Sequence, residues 1–278
     1  VITGKHQVPY RETDTRFVTE HGIPVIRRIS GGGTVFHDPG NLNFSFILNS
    51  TEGKQIDFRK YTLPVISFLA SLGIDARFEG KNDLKVGGLK ISGNAEHVYR
   101  NRVLHHGTLL FSADLDFLRN CIRKDTSVYE TRAVSSNPSP VTNLAGMLGG
   151  ISDTMHFRDQ MLEYFLACQP GSFRSSLSDN ETRQISDLAE TRYKTWDWTY
   201  AYGPPYRLRK GFNYRGKEAL CDLAVQDGII TRCLLTGHAD LEKAGSLLVG
   251  CRHMAGDVRE ILEKENIFSA GFDIFNLF

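Results

Sequence analysis

Two hydrophobic periods alternate along the chain. Residues 58–72, FRKYTLPVISFLASL, set Phe58, Tyr61, Val65, Phe68 and Leu72 at helical spacing, which predicts a helix with one buried stripe. Pro64 has no N–H to give, so it is expected in the first turn or at a kink, and Gly73 is expected to end the helix. From residue 74 to 111 the texture changes to short β-like runs punctuated by glycine: IDARFEG, DLKVGG, LKISGNAEHVYR and RVLHHGTLLF. Such runs predict a meander of neighbouring strands. Upstream, GIPVIRRIS and NFSFIL read as two strands joined by a glycine loop.

Helical spacing returns near Asp114 and again in MHFRDQMLEYFLA, where Asp153 is the expected N-cap and Phe157, Met161 and Phe165 share a face. PGSFRSSLSDNE, after Gln169, is polar and rich in Pro, Gly and Ser, as a linker is. A boundary between residues 180 and 195 divides the chain into a larger unit, 1–182, and a smaller one, 183–278. In the smaller unit EALCDLAVQDGIITRCLL predicts a hairpin turning at Asp227 and Gly228, followed by helices over DLEKAGSLLVG and DVREILEKE. The expected class is α/β in the α+β sense: a mixed β-sheet with flanking helices, plus a small C-terminal α/β unit.

Composition narrows the ligand classes. With 278 residues and 41% hydrophobic content the chain can bury a substantial core. Basic and acidic side chains number 33 and 32, so no general field favours nucleic acid or an anionic membrane, and neither is expected as a partner. A charged ligand must be held locally. Cys121, Cys168, Cys221, Cys233 and Cys251 are odd in number and show no C-x-x-C pair, which reads as reduced thiols in a cytoplasmic setting. No apolar run of about 18 residues occurs, and VITGKHQVPY lacks the charged start and apolar centre of a signal peptide.

The candidate chemistry lies in two stretches. In RRISGGGTVFHDPGNLNF, Arg27 to Phe44, the glycines Gly31, Gly32 and Gly33 let backbone N–H groups converge on an anion, and Arg27 and Arg28 offer fork-shaped donors. A glycine-rich turn with surface arginines is the plainer alternative. Neither a Walker loop nor G-x-G-x-x-G is present. In KNDLKVGGLKISGNA, strand alternation puts Lys90, Ser92 and Asn94 on one face, where Lys90 can serve as a point charge for an acyl carbonyl or an α-phosphate. The alternative is a solvent-facing strand lysine. Asn82 and Asp83 suit a nucleotide-borne Mg²⁺.

Other patterns are weaker. His105 and His106 must face opposite ways on a strand, which argues against a shared metal. A triad of Ser30, His37 and Asp38 lacks a nucleophile elbow. The aromatic run from Tyr193 to Tyr206 is expected to pack between the two units rather than to stack on bases.

In this order, RRISGGGTVFHDPGNLNFSFI, KNDLKVGGLKISGNAEHVYRNRVLHHGTLL, SPVTNL and WDWTYAYGPPY resemble the lipoate-protein ligase A family, over nearly the whole chain. The resemblance implies the biotin/lipoate ligase type of fold, with a small accessory domain. It implies an enzyme that activates lipoate with ATP and Mg²⁺ to lipoyl-AMP and passes the acyl group to a lysine. Its implied carriers are lipoyl domains of 2-oxoacid dehydrogenase complexes and the glycine-cleavage H protein, and its slot should also accept octanoate. By position it implies a lipoate and adenylate site of Arg28, Ser30, Gly31, Gly32, Gly33, Phe36, His37, Asn41, Asn82, Ser92, Gly93 and His106. Lys90 and Asp83 become the catalytic pair, with Asp83 also a Mg²⁺ ligand.

The resemblance also leads one to expect a further strand and helix ahead of the segment matching VITGKHQ, and ETRAVSSNPSPVTNL lacks the lysine-rich pattern expected before V-T-N-L. Three other readings share these residues: a lipoyltransferase using preformed lipoyl-AMP or a lipoylated donor, an octanoyltransferase, and a non-catalytic lipoate-binding protein.

Overall fold

The computed structural model describes residues 1–49, 57–123, 125–265 and 272–278. Its main sheet has five antiparallel strands: β3 (Asn41–Asn49), β4 (Arg77–Glu79), β5 (Asp83–Val86), β6 (Leu89–Tyr99) and β7 (Arg102–Leu110), in spatial order β3-β7-β6-β5-β4. The expected meander is therefore present. A short parallel pair, β1 (Ile2–Thr3) and β2 (Ile26–Arg27), stands beside this sheet, with α1 (Pro9–Glu12) and α2 (Thr15–Glu20) between its strands in sequence. Parallel pairing is otherwise seen at the Lys90–Val141 bridge.

One face of the main sheet is covered by α3 (Phe58–Ser71) and α5 (Thr154–Cys168). Val65, Phe68 and Leu69 meet Phe157, Met161, Leu84, Ile91, Leu109 and Phe111 there, each side chain contributing about 1.5–3 kcal/mol by burial. Asp57 caps α3 and Asp153 caps α5, each carboxylate accepting a backbone N–H of the first turn. Pro64 lies in the second turn of α3, not the first. Thr62 turns its hydroxyl back to the Phe58 carbonyl at 2.7 Å, the bond to the carbonyl four residues back that threonine makes inside helices. On this same face Glu96 and His105 form a buried contact of 2.9 Å, and burial raises the carboxyl to about 7 and lowers the imidazole to about 4.

Asp114 caps α4 (Leu115–Cys121), and Tyr129–Thr131 forms β8. The polar stretch after Gln169 leads into a helix the hydrophobic pattern did not reveal, α6 (Asp179–Leu188), which has no buried residue and starts with a Ser178/Glu181 capping box. Two π-helical turns, Ala189–Tyr193 and Asp197–Ala201, lead to the second sheet. There β9 (Tyr206–Tyr214), β10 (Lys217–Gln226) and β11 (Ile229–Thr236) are joined by β8 in the order β11-β10-β9-β8. The expected hairpin turns at Asp227 and Gly228, both at positive φ, as a type I′ turn requires. Helices α7 (Ala239–Leu248) and α8 (Ala255–Lys264) complete this half. Its core includes Val8, Tyr10 and Tyr129 from the first half of the chain, and position 182 falls within α6.

All five cysteines are free thiols. Among the described residues no helix is long and apolar enough to cross a membrane.

Candidate active site

The glycine loop follows β2, whose Arg27 is fully buried. Its guanidinium donates to the carbonyls of Gly4, Lys5, Gln7, Trp198 and Thr199 at 2.8–3.1 Å, while Trp198 Nε1 donates to the Arg27 carbonyl at 2.8 Å. The aromatic run near residue 198 thus packs on the base of the loop. Arg28 donates to the Gly31 and Gly33 carbonyls, both at 2.7 Å, and its Nε to Ser30 Oγ at 3.1 Å. Burial lowers both guanidinium groups to about 10, so both stay charged. The expectation that Arg27 and Arg28 present forks to an anion is corrected: in this structure Arg27's donors are taken by backbone carbonyls outside the loop, and Arg28's by carbonyls that include those of Gly31 and Gly33 and by Ser30 Oγ, acceptors that would otherwise lack these partners.

The loop is held close to β1. A Cβ at Gly4 would lie 2.1 Å from the Gly32 carbonyl oxygen, and Gly32 itself takes φ +92°, a region side chains disfavour. Only glycine fits both positions.

Below the loop lies the uncovered face of the main sheet. Strand β5 pairs Leu84 with Ser92 but Lys85 with Lys90, which leaves Ile91 as the extra residue of a β-bulge. Paired residues share a face, so the bulge puts Lys90 with Asp83, Gly93, Ala95 and His106. Ser92 and Asn94 turn to the helix-covered side, where Ser92 is 1% exposed and accepts from Asn94 Nδ2 at 3.3 Å. The expected sharing of one face by Lys90, Ser92 and Asn94 is thereby corrected: simple alternation fails across a bulge.

Lys90 Nζ lies 2.7 Å from Asp83 Oδ1, both side chains about one-fifth exposed. Gly93 makes room for this ammonium, since a Cβ there would sit 3.2 Å from Lys90 Nζ. His106 Nε2 is 2.6 Å from Ser30 Oγ. Arg28 donates to that same oxygen, leaving the hydroxyl proton for the ring, and burial beside Arg28 lowers His106 to about 4, so the imidazole is neutral at pH 7. Asn82 is fixed by donating from Nδ2 to the Asn94 carbonyl.

The remaining expected residues line the loop's exit. Gly31 faces open space, and Gly33 lies against Ser136. Phe36 is buried in a small apolar cluster with Val1, Val18 and Cys121. His37 approaches Asn43 at 3.4 Å and burial lowers it to about 4, while Asn41 donates to Asn43 at 2.9 Å. Ser30 bonds His106, not His37, and Asp38 accepts from backbone N–H groups of Gly40 and Asp114, so the triad of Ser30, His37 and Asp38 is not assembled.

Several residues in contact with the loop carry no signal in the sequence. Gln7 accepts from Gly4 N and Thr34 Oγ1, and Glu12 accepts from Ser136. Thr34 lies 27 residues from Gln7, and Ser136 lies 124 residues from Glu12. Among the described residues no three His, Cys, Asp or Glu side chains converge on a metal position. A nucleotide-borne Mg²⁺ needs one or two hard protein oxygens besides phosphates and water, and Asp83 with Asn82 fits that donor set.

Residues 1–166 match the family described as the lipoyl protein ligase A/B catalytic domain. The chain belongs to that family. Lipoate-protein ligase LplJ of Bacillus subtilis is 34% identical over 273 residues, covering 96% of this chain and 82% of the relative. A bipartite lipoate protein ligase of Thermoplasma acidophilum, solved in a study with its E2 lipoyl domain, is 26% identical with a TM-score of 0.58, over 71% of this chain and 78% of that one. A lipoate-protein ligase A structure bound with ATP is 26% identical with a TM-score of 0.59, over 71% and 80%. The two solved relatives share the α/β fold of this chain.

Proposed function

We propose that this chain is a lipoate-protein ligase that uses ATP to activate lipoate as lipoyl-AMP and transfers the acyl group to a lysine of a lipoyl carrier domain. The observation that carries the reading is the Lys90–Asp83 pair beneath the glycine loop, on one sheet face with His106. In the first step the lipoate carboxylate attacks the α-phosphorus of ATP and pyrophosphate leaves. Two anions must meet, so positioning and charge neutralisation dominate the barrier. Lys90 and the amides around Gly31–Gly33 supply positive potential there. Asp83 with Asn82 would hold Mg²⁺, which when bound neutralises phosphate charge.

In the second step the carrier amine attacks the acyl carbon of the mixed anhydride and AMP leaves. Lys90 polarises the carbonyl, and Asp83 orients the amine and takes its proton. Neutral His106, fixed by Ser30, borders the acyl chain without adding charge to an apolar slot. Such a slot distinguishes chain ends by only about 1–3 kcal/mol per methylene, so octanoate is also a substrate. Residues 1–182 serve as the catalytic part and 183–278 as an accessory part. The setting is cytoplasmic, and the carriers are lipoyl domains of 2-oxoacid dehydrogenase complexes and the glycine-cleavage H protein.

The test incubates the protein with an unmodified lipoyl domain, lipoate and Mg²⁺, with and without ATP, and reads the carrier's intact mass. A parallel reaction contains lipoyl-AMP and no ATP. Addition of one lipoyl group that requires ATP in the first reaction supports the ligase reading. Modification from lipoyl-AMP alone would identify a transferase instead.

A further inference from the structure

The uncovered face of the main sheet runs on past the site. Paired residues share a face, so the Ala95–His106 pair is followed, two and four residues out, by Leu104 with Ile47 and by Tyr99 with Arg102. The glycine loop stops at the first of these pairs, where a Cβ on Gly32 would meet the Ala95 Cβ at 4.0 Å. Exposure along β6 then rises from 7% at Ala95 to 61% at Tyr99, and Ile47 on β3 is 70% exposed. At a rise of about 3.4 Å per residue, Tyr99 and Arg102 lie about 14 Å beyond Ala95. A largely apolar platform is therefore left bare beside the place where the acyl group is handed over.

The hairpin that ends this platform carries charge without a partner. On the same side of the sheet Arg77, Lys85 and Lys90 are matched by Asp75, Glu79 and Asp83, at 2.7, 3.3 and 2.7 Å. Arg102 has no ion pair among the described residues, and neither has Arg100 in the turn, whose guanidinium lies over the Tyr99 ring at 5.3 Å from its centroid. Arg100 also takes φ +54°, a left-handed conformation that glycine or asparagine adopts at less cost. Exposed aromatic and aliphatic side chains set beside arginines are the composition of a protein interface.

We propose that this platform and its hairpin dock the carrier domain, which meets Arg100 and Arg102 with carboxylates beside its target lysine, an assignment that rests on the ligase reading. Continuity with the site selects the occupant. A specific interface covers about 800 Å² on each partner, a disc about 16 Å in radius, so a carrier whose lysine reaches the edge of the glycine loop also covers the arginines about 14 Å away. A nucleotide or a fatty acid held at Lys90 has no such footprint. The two cations stand at the rim of that disc, where charge speeds encounter and sets orientation but leaves the chemical step alone.

The test compares wild type with the double variant Arg100→Gly, Arg102→Gln, in which glycine suits the turn and both altered side chains are exposed. With ATP, Mg²⁺ and lipoate, KM for an unmodified lipoyl domain is expected to rise about tenfold while kcat stays within about twofold, and the gap should shrink as salt screens the pair. Formation of lipoyl-AMP without carrier, and KM for ATP, should not change. A carrier whose carboxylates nearest the target lysine are replaced by amides is expected to lose the same factor with wild type and nothing further with the double variant. An unchanged KM for the carrier overturns the docking surface, and so does a rise in KM for ATP alone, which would give the arginines to phosphate. A wild-type protein that makes no lipoyl-AMP overturns the ligase reading. Docking is then decided by titrating the lipoyl domain directly, where binding about tenfold tighter to wild type than to the double variant upholds it and equal binding overturns it.

Discussion

Replacing Gly4 by alanine tests how tightly the glycine loop is positioned. The added Cβ would sit 2.1 Å from the Gly32 carbonyl oxygen and 3.1 Å from its carbon, whereas real Cβ atoms essentially never come closer than 3.0 Å. The shortfall, 3.0 less 2.1, is about 0.9 Å. The opposing atom is backbone, so no side-chain rotation relieves it. Either β1 or the loop must move by nearly 1 Å, and Arg28, bonded to the carbonyls on both sides of Gly32, resists a local adjustment. Overpacking of this kind costs about 1–3 kcal/mol of stability. A misplacement of about 1 Å in a reacting geometry costs about 100-fold in rate. Gly4→Ala is therefore expected to remain folded and to form AMP from ATP and lipoate about 100-fold more slowly than wild type. Gly211→Ala is the control, since a Cβ there meets nothing within 4 Å. A folded Gly4→Ala protein within about threefold of the wild-type rate would refute the claim that this contact sets the loop.

Two further predictions concern stability. Arg27→Met removes the donors for five backbone carbonyls and is expected to cost about 3–5 kcal/mol in urea unfolding; a loss below about 1 kcal/mol contradicts the scaffold role. Acid should also destabilise the fold. Burial holds His37, His105, His106 and His253 at about 4, below the unfolded value near 6.5, so their contribution is complete above pH 6.5 and is lost as pH falls toward 4. Glu96, raised to about 7, has the opposite sign, contributing below its unfolded pKa and losing that as pH rises through 7. Four groups outweigh one, and Tm is expected to be lower at pH 5 than at pH 7; an equal or higher Tm at pH 5 contradicts this.

What the sequence made legible follows from the range of the interactions involved. The meander, the Asp227–Gly228 turn, the helix start near Asp114 and the cap at Asp153 depend on residues close together in the chain, and the pattern foretold them. Lys90 was singled out, but not the face it shares, because the bulge at Ile91 is set by how β5 pairs with β6. Arg27 and Arg28 looked like anion forks because an arginine beside glycines does not reveal which carbonyls it will meet. Two of Arg27's acceptors, Trp198 and Thr199, lie more than 170 residues away. Glu12 and Ser136 were silent for the same reason, since they meet across 124 residues of chain. Helix α6 was missed because it buries nothing, leaving hydrophobic spacing without a stripe to detect.

The most direct test of the account is Lys90→Ala assayed on each half of the reaction separately. One assay follows AMP formation from ATP and lipoate, and the other follows transfer from lipoyl-AMP to an unmodified lipoyl domain by intact mass. Lys90, paired with Asp83 beneath the glycine loop, is expected to serve both steps, so both rates should fall by about 10²–10³-fold while the variant remains folded. A folded Lys90→Ala protein that runs both steps near the wild-type rate would contradict the placement of the chemistry on this face of the sheet.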